Sequence, residues 1–260
     1  VSEEKSGRFE TLKTVIVAAS LAIIIRSFLF EPFHIPSGSM KNTLEIGDFI
    51  FVNKYAYGYS RYSFPLGLPL FEGRVANFGA PQRGDIIVFR PPGTPHIDYI
   101  KRLIGLPGDR IQMKNGVLHI NDKAVKLERV EDYMDSTVEK DKVTTKHIPQ
   151  FRETLPNGVT HSVLDDIPNG EVDNTFIYTV PEGHYFFLGD NRDHSMDSRY
   201  PDVVGFVPAE NLVGRAQLLA FSVKEGESAL KFWKWPGVFR SGRFFKWLTN
   251  DVLPEELEKK

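Results

Sequence analysis

Two hydroxyls flank a glycine in Pro36-Ser37-Gly38-Ser39-Met40. A serine hydroxyl is a weak nucleophile until a neighbouring base takes its proton. Glycine lets the backbone approach a ligand closely and leaves amide groups open, as an oxyanion hole requires. Alone, a Ser-Gly-Ser turn is more often structural than catalytic. A base for it is offered by Lys101, inside the apolar-rich segment Asp98-Tyr-Ile-Lys-Arg-Leu-Ile104. Strand alternation puts Lys101 between Tyr99 and Leu103 on one face. In water such a lysine is an ammonium ion and inert, the usual case for a strand lysine. Desolvated, its pKa falls, and the neutral amine becomes a credible base for serine.

A third polar run, from Gly189 to Arg199 (GDNRDHSMDSR), follows directly on an apolar strand pattern. It admits three readings: a salt-bridged loop, a calcium loop, or the histidine of a Ser-His-Asp triad. Carboxylates at 190, 193 and 197 miss the alternating spacing of an EF-hand, and no helices flank them. His194 lacks the strand–Gly-x-Ser-x-Gly–helix elbow that would hold its serine. The chain has no cysteine, which removes disulfides, thiolate metal sites and a cysteine nucleophile. No metal and no cofactor is expected.

The elements that must position these groups read mostly as strands. Residues 31–36 alternate and carry two prolines, so they are extended chain. Strands are expected at residues 48–55, 85–90, 98–104, 175–180, 184–188 and near 214–221, with turns such as Pro81-Gln-Arg-Gly84 between them. Lys114-Asn115-Gly116 predicts a tight hairpin over residues 111–120, and a further short ribbon is expected around Gly158. The charged stretch 128–148 reads as a loop or solvated insertion, and residues 56–80 as a long surface excursion, mobile or membrane-facing. No internal repeat and no long periodic helix occurs between residues 31 and 205. The expected fold class is therefore mostly β: an antiparallel barrel-like catalytic core with a smaller inserted β lobe, preceded by one N-terminal transmembrane helix. The expected divisions are 1–13, cytoplasmic; 14–30, the anchor; 31–110 with 176–222, the core; 111–175, the inserted lobe; and 223–260, a basic and aromatic tail.

The anchor is argued from residues 14–25, twelve without a charge, and their continuation through Phe30 past Arg26. Seventeen residues make about 25 Å of helix, marginal for a bilayer of roughly 30 Å. A cleavable leader would be followed by a small-x-small site, and Phe28-Leu-Phe-Glu-Pro-Phe33 follows instead. A helix buried in a soluble domain is the other rival. Lys5, Arg8 and Lys13 precede the span and favour a cytoplasmic N-terminus. The stretch 231–247 holds seven aromatic and five basic residues without an acid, a composition suited to a phospholipid surface or to packing on the core. With 32 basic and 34 acidic side chains, net −2, no broad cationic surface exists for nucleic acid.

Taken together, the blocks closely resemble bacterial type I signal peptidase, a serine/lysine protease family, over residues 14 to about 220. The resemblance rests on an apolar anchor, then Pro36-Ser-Gly-Ser-Met40, Asp48, and Gly84-Asp-Ile-Ile-Val-Phe89. It continues through Tyr99-Ile-Lys-Arg-Leu-Ile-Gly-Leu-Pro-Gly-Asp109 and the 189–199 run. The order and spacing of the blocks make chance agreement remote. It implies Ser39 as nucleophile and Lys101 as general base, with the Ser37 hydroxyl and the Ser39 amide as oxyanion donors. It implies that Ser195 orients the lysine, that Asp197 and Arg199 support the loop, and that Asp190 and Arg102 are further supports. Phe33, Ile35 and Ile100 would line the substrate subsites, with Met40 as a core or pocket-wall residue. The implied activity is removal of signal peptides from exported preproteins at the outer (periplasmic) face of a bacterial inner membrane, by a single-pass protein. The sequence departs from the family at Lys41-Asn42-Thr43-Leu44, where many members have Pro-Thr-Leu, and the resemblance does not explain the tail.

Two other readings remain at this stage. A self-cleaving Ser/Lys repressor protease would be cytoplasmic and carry a DNA-binding helical domain where this chain has an apolar span. A membrane-anchored β module that binds translocating or envelope proteins without cutting them would make the Ser/Lys blocks structural and leave Lys101 in solvent.

Overall fold

The computed structural model describes residues 2–64, 72–76, 78–94, 96–139, 142–225, 235–248 and 251–252. Helix α1, Ser2–Phe28, begins well before the apolar run and ends where Pro32 bars further helix. Its stretch Phe9–Phe28 has mean hydropathy 1.7 and only 6% of it is buried, so it is long and apolar enough to cross a membrane. From it the chain enters β1, Phe30–His34, and after the Ser-Gly-Ser turn β2, Asp48–Asn53. Next come β3, Ile86–Phe89, and β4, Tyr99–Gly105. All four residues of β3 are buried, as a strand covered on both faces demands.

A second group of strands follows. β5, Arg110–Lys114, and β6, Val117–Ile120, form the expected hairpin. Asn115 and Gly116 take φ of 50° and 75°, the positive values that a two-residue hairpin turn needs. β7, Tyr133–Glu139, pairs with β8, Lys142–Ile148, and β9, Gln150–Thr154, with β10, Val159–Leu164, around Gly158. The chain then returns through β11, His184–Leu188, and the long β12, Leu212–Ser222, to the short β13, Lys246–Trp247.

The main sheet runs β1-β2-β12-β3-β4-β11, with Val207–Pro208 at its far edge and β13 added on β12. Every pairing within it is antiparallel, so the mostly β, antiparallel expectation holds. Register breaks in β12 and β11 mark bulges, which strengthen twist and let such a sheet curl. One apolar cluster fills the curl beneath the Ser-Gly-Ser turn: Ile35, Met40, Leu44, Ile50, Val52 and Val88 belong to it. Met40 and Leu44 are fully buried, each worth roughly 1.5–3 kcal/mol, so they clamp the turn from below.

Three expectations are corrected. Residues 128–148 hold the β7–β8 ribbon rather than a loop, because Thr and Val alternate with the charges and a two-stranded ribbon keeps its charges wet. Only Tyr178–Thr179 of the 175–180 segment is strand, since Thr175 is tied instead to Met113 through both its hydroxyl and its amide. The described start of the 56–80 excursion is packed rather than free. Tyr57 is buried and donates to Asp85 at 2.7 Å, Ser60 and Ser63 are buried, and Tyr59 meets Phe28 edge-on. Its aromatic rings supply enough apolar area to hold a segment that looked loop-like by composition. Residues 65–71 and 77 of it lie outside the described residues, as do 226–234, 249–250 and 253–260 of the tail, which include Phe232, Trp233 and the terminal glutamates.

Candidate active site

Ser39 sits on the turn between β1 and β2, 7% exposed. Both carbonyls that flank its backbone are held. The Gly38 oxygen accepts from Lys41 N and from Asn191 Nδ2, each at 3.1 Å, and the Ser39 oxygen accepts from Asn191 N at 3.1 Å. With the Gly38 oxygen fixed on one side of the Gly38–Ser39 peptide bond, the Ser39 N–H is directed to the other, within the same plane. The loop supplying Asn191 comes this close because residue 189 is glycine. A Cβ there would lie 2.6 Å from the Ser39 oxygen and 2.2 Å from Ser195 Oγ.

Lys101 reaches the same point from β4. Its Nζ donates to Ser39 Oγ at 2.7 Å and to the Ile100 oxygen at 3.0 Å, with the Tyr99 ring 5.4 Å away. The residue is 4% exposed. Burial pushes its amine down to about 8, while Asp197 and Asp190 pull weakly the other way. At pH 7 about a tenth of the amines are then neutral, against a few in ten thousand for a free lysine. Ser37 is exposed, with its Oγ 3.5 Å from Ser39 Oγ.

The remaining expected residues divide. Asp197 and Arg199 form a buried pair through Nε and Nη2, both 2.9 Å, and Asp197 also accepts from Gly189 N at 3.0 Å. Arg102 grips Asp190 through Nε at 2.8 Å and Nη2 at 2.7 Å, and Thr43 donates to the same carboxylate. Burial raises each aspartate, but the facing guanidinium more than offsets it, so both stay below the usual carboxylate range. Ser195 is buried beside them, yet no hydrogen bond joins it to Lys101, whose amine is bonded to Ser39 and Ile100. An open cleft of about 340 Å³ runs past Ser39 and Lys101, walled by Ser37, Tyr99, Ile100 and Met196. Phe33 and Ile35 do not border it: Ile35 is 2% exposed in the core cluster, and Phe33 packs against that cluster.

A second buried charge cluster escaped the sequence reading. Glu153 accepts from Arg192 at 2.7 Å and lies 3.2 Å from His161, which in turn is 4.0 Å from Asp190. Burial raises Glu153, but Arg192 and His161 outweigh it and bring the carboxyl to about 2; burial lowers His161. The signal was present, since Phe151, Glu153 and Leu155 alternate on one face and a charge stands among apolar positions. Two further bonds latch the β7–β8 ribbon to the serine turn, from Lys41 to Asp135 at 2.8 Å and from Tyr133 to Glu45 at 2.8 Å.

A β fold that presents a serine hydroxyl to a buried lysine whose amine is pushed down by burial is the equipment of a Ser/Lys hydrolase. The family described as "Signal peptidase, peptidase S26" matches residues 8–221. Signal peptidase I of Rickettsia typhi (strain ATCC VR-144 / Wilmington) is 46% identical over 247 residues, 88% of this chain and 90% of that protein. Signal peptidase I of Rickettsia prowazekii (strain Madrid E) is 45% identical over the same shares. A crystal structure of a signal peptidase I from Enterococcus faecalis V583 is 30% identical, covering 53% of this chain and 97% of that one, with a TM-score of 0.30. The chain belongs to the signal peptidase family, peptidase S26, and is a serine endopeptidase.

Proposed function

We propose that this chain removes N-terminal signal peptides from exported preproteins, with Ser39 as nucleophile and Lys101 as general base. The observation that carries the reading is the 2.7 Å contact between Ser39 Oγ and an amine depressed to about 8 by burial. Neutral Lys101 takes the Ser39 proton as Oγ attacks the scissile carbonyl. The Ser39 amide and the Ser37 hydroxyl stabilise the oxyanion. The protonated lysine then gives its proton to the leaving amine, which departs as the new N-terminus of the mature protein. Lys101 next activates the water that frees the signal peptide from Ser39. Asp197–Arg199 and Asp190–Arg102 hold the 189–199 loop against the serine turn. The substrate lies extended in the cleft, and small side chains one and three residues before the cut fit beside Ile100, with Phe33 and Ile35 backing that wall. Residues 31–110 and 176–222 serve as catalytic core, 111–175 as an inserted lobe, and 223–260 as a membrane-contacting tail. Helix α1 anchors the protein in the bacterial inner membrane with the cytoplasmic end marked by Lys5, Arg8 and Lys13, and the site outside.

Cleavage of a bilayer-reconstituted preprotein, with the product N-terminus sequenced, tests the assignment. A single cut after a small-x-small signal is expected. An intact preprotein, under conditions where another signal peptidase cuts it, would leave a binding module instead. Asn191 gives a finer test, because its side chain fixes the Gly38–Ser39 peptide whose N–H faces the oxyanion. Asn191→Ala lowers kcat by about tenfold with KM unchanged, less than the loss of a direct oxyanion donor. Equal falls in substrate affinity would mean that Asn191 only holds the cleft together.

A further inference from the structure

A larger cavity, about 530 Å³, opens on the far side of the serine turn, where the main sheet, the β9–β10 pair and the tail meet. Arg152 of β9 and Lys246 of β13 line it, and neither has an ion-pair partner among the described residues. Arg243 and Arg102 also reach it, already committed to Asp48 and Asp190. Thr43, Thr160, Ser162 and Tyr133 add hydroxyls to the wall. Glu45 is the acid on that wall; it is bonded by Tyr133 and pushed up by burial. Asp251 stands opposite Thr160 in register. The Thr43 and Tyr133 protons already go to Asp190 and Glu45, and Glu128 stands across the strand pair from Arg152, so it is Arg152 and Lys246 with the Ser162 hydroxyl that form the arrangement able to take up a phosphate.

The rim shows where that phosphate would come from. Trp247 on that wall is 59% exposed, and Phe245 and Phe244, just before β13 in the chain, are 72% and 46% exposed, an aromatic and basic pairing that suits a lipid headgroup layer. β13 lies on the side of β12 away from β2, so three strand spacings, about 15 Å, separate it from β1, where the α1 anchor enters. Arg243 also bonds the Thr43 oxygen, and Arg240 the Ile46 oxygen, so the tail grips the segment that carries Ser39. Resting on the reading of the chain as a membrane-anchored signal peptidase, we propose that this cavity binds the headgroup phosphate of an anionic phospholipid and so ties tail and serine turn to the bilayer surface.

The full chain is reconstituted in phosphatidylcholine bilayers with and without phosphatidylglycerol, and the ratio of preprotein cleavage rates is read. Wild type is expected to cleave faster with phosphatidylglycerol. In Arg152→Gln/Lys246→Gln that ratio falls roughly fivefold or more, while Lys114→Gln/Lys123→Gln, which removes the same charge from exposed positions elsewhere, keeps it. Excess inorganic phosphate lowers the wild-type ratio. A ratio unchanged in the cavity variant, or lowered as much in the control pair, overturns the proposal. Protection of the detergent-solubilised wild type against heat by inorganic phosphate, without any response to phosphatidylglycerol, assigns the cavity to a free anion and overturns its lipid part. Loss of cleavage by wild type in every medium would instead strike at the peptidase reading itself.

Discussion

Lys101→Met and Ser39→Ala each lower kcat by about 10⁴-fold or more, and the double variant loses no more than the worse single one. A positioned general base contributes about 10²–10⁴, but a base and nucleophile that act as a unit fail together, so their losses do not add. The geometry places them in one unit: Nζ has Ser39 Oγ at 2.7 Å and a carbonyl as its other partner, with no second acid or base in its hydrogen bonds. His194 cannot substitute, because its ring is turned to Asp166 at 2.9 Å. The residual rate is that of the oxyanion donors and substrate binding alone. Single-turnover cleavage of a preprotein in detergent, for both single variants and the double, measures the comparison. Additive losses would mean that the lysine acts elsewhere than on the serine proton.

What could be seen in the sequence follows from what each signal depends on. Strand alternation around Lys101 and the hairpin at Asn115-Gly116 are local, set by period-two geometry and by φ at two residues, and both were legible. The pairing of Ser39 with Lys101 is not local: sixty-two residues separate them, and only the order of the blocks and their likeness to a known family brought them together. The β7–β8 ribbon was misread because charge was weighed above β-branched content. The tail was left between two fates, and part of it packs on the core. Phe239 packs against Phe221 and Val238 is buried, whereas Phe245 and Trp247 stand in solvent.

The charged residues of the core show the limit most clearly. Composition treats Asp190, Arg102, Glu153 and Arg192 as surface material, yet all four are buried in guanidinium–carboxylate pairs. Each pair is neutral as a unit, and the Arg102–Asp190 pair is joined by two hydrogen bonds, the condition under which burial is tolerated, whereas Arg192 reaches Glu153 through Nη2 alone and leaves its Nε without a partner among the described residues. Which arginine takes which carboxylate depends on strand register, and register is a property of the assembled sheet. Ser195 is the counterpart case: the family likeness placed it on the lysine, while the fold gives the lysine's second bond to the Ile100 carbonyl.

Lys101 is the exception among these buried charges, since no carboxylate is bonded to it, and that has a measurable consequence. Unfolded, its ammonium titrates near 10.5; folded, burial brings it to about 8. Below pH 8 both states are protonated, and the native state carries the full penalty of an ammonium held out of water. Between pH 8 and 10.5 the unfolded chain binds the proton and the native one does not, so stability rises with pH across that window. The penalty is about 3 kcal/mol, at about 1.4 kcal/mol for each pH unit. Lys101→Met keeps the apolar stem and discards the charge, forgoing two hydrogen bonds worth about 1 kcal/mol each. At pH 7 the inactive variant is therefore the more stable protein by about 1 kcal/mol, and near pH 10.5 that order reverses. The midpoint of chemical unfolding in detergent micelles, taken for both proteins at pH 7 and pH 10, measures the crossover. The same proton sets activity: kcat/KM of the wild type climbs about tenfold per pH unit to a plateau near pH 8. A variant less stable than wild type at pH 7, or a rate that goes on climbing past pH 10, would show that Lys101 is solvated and ordinary in the working protein.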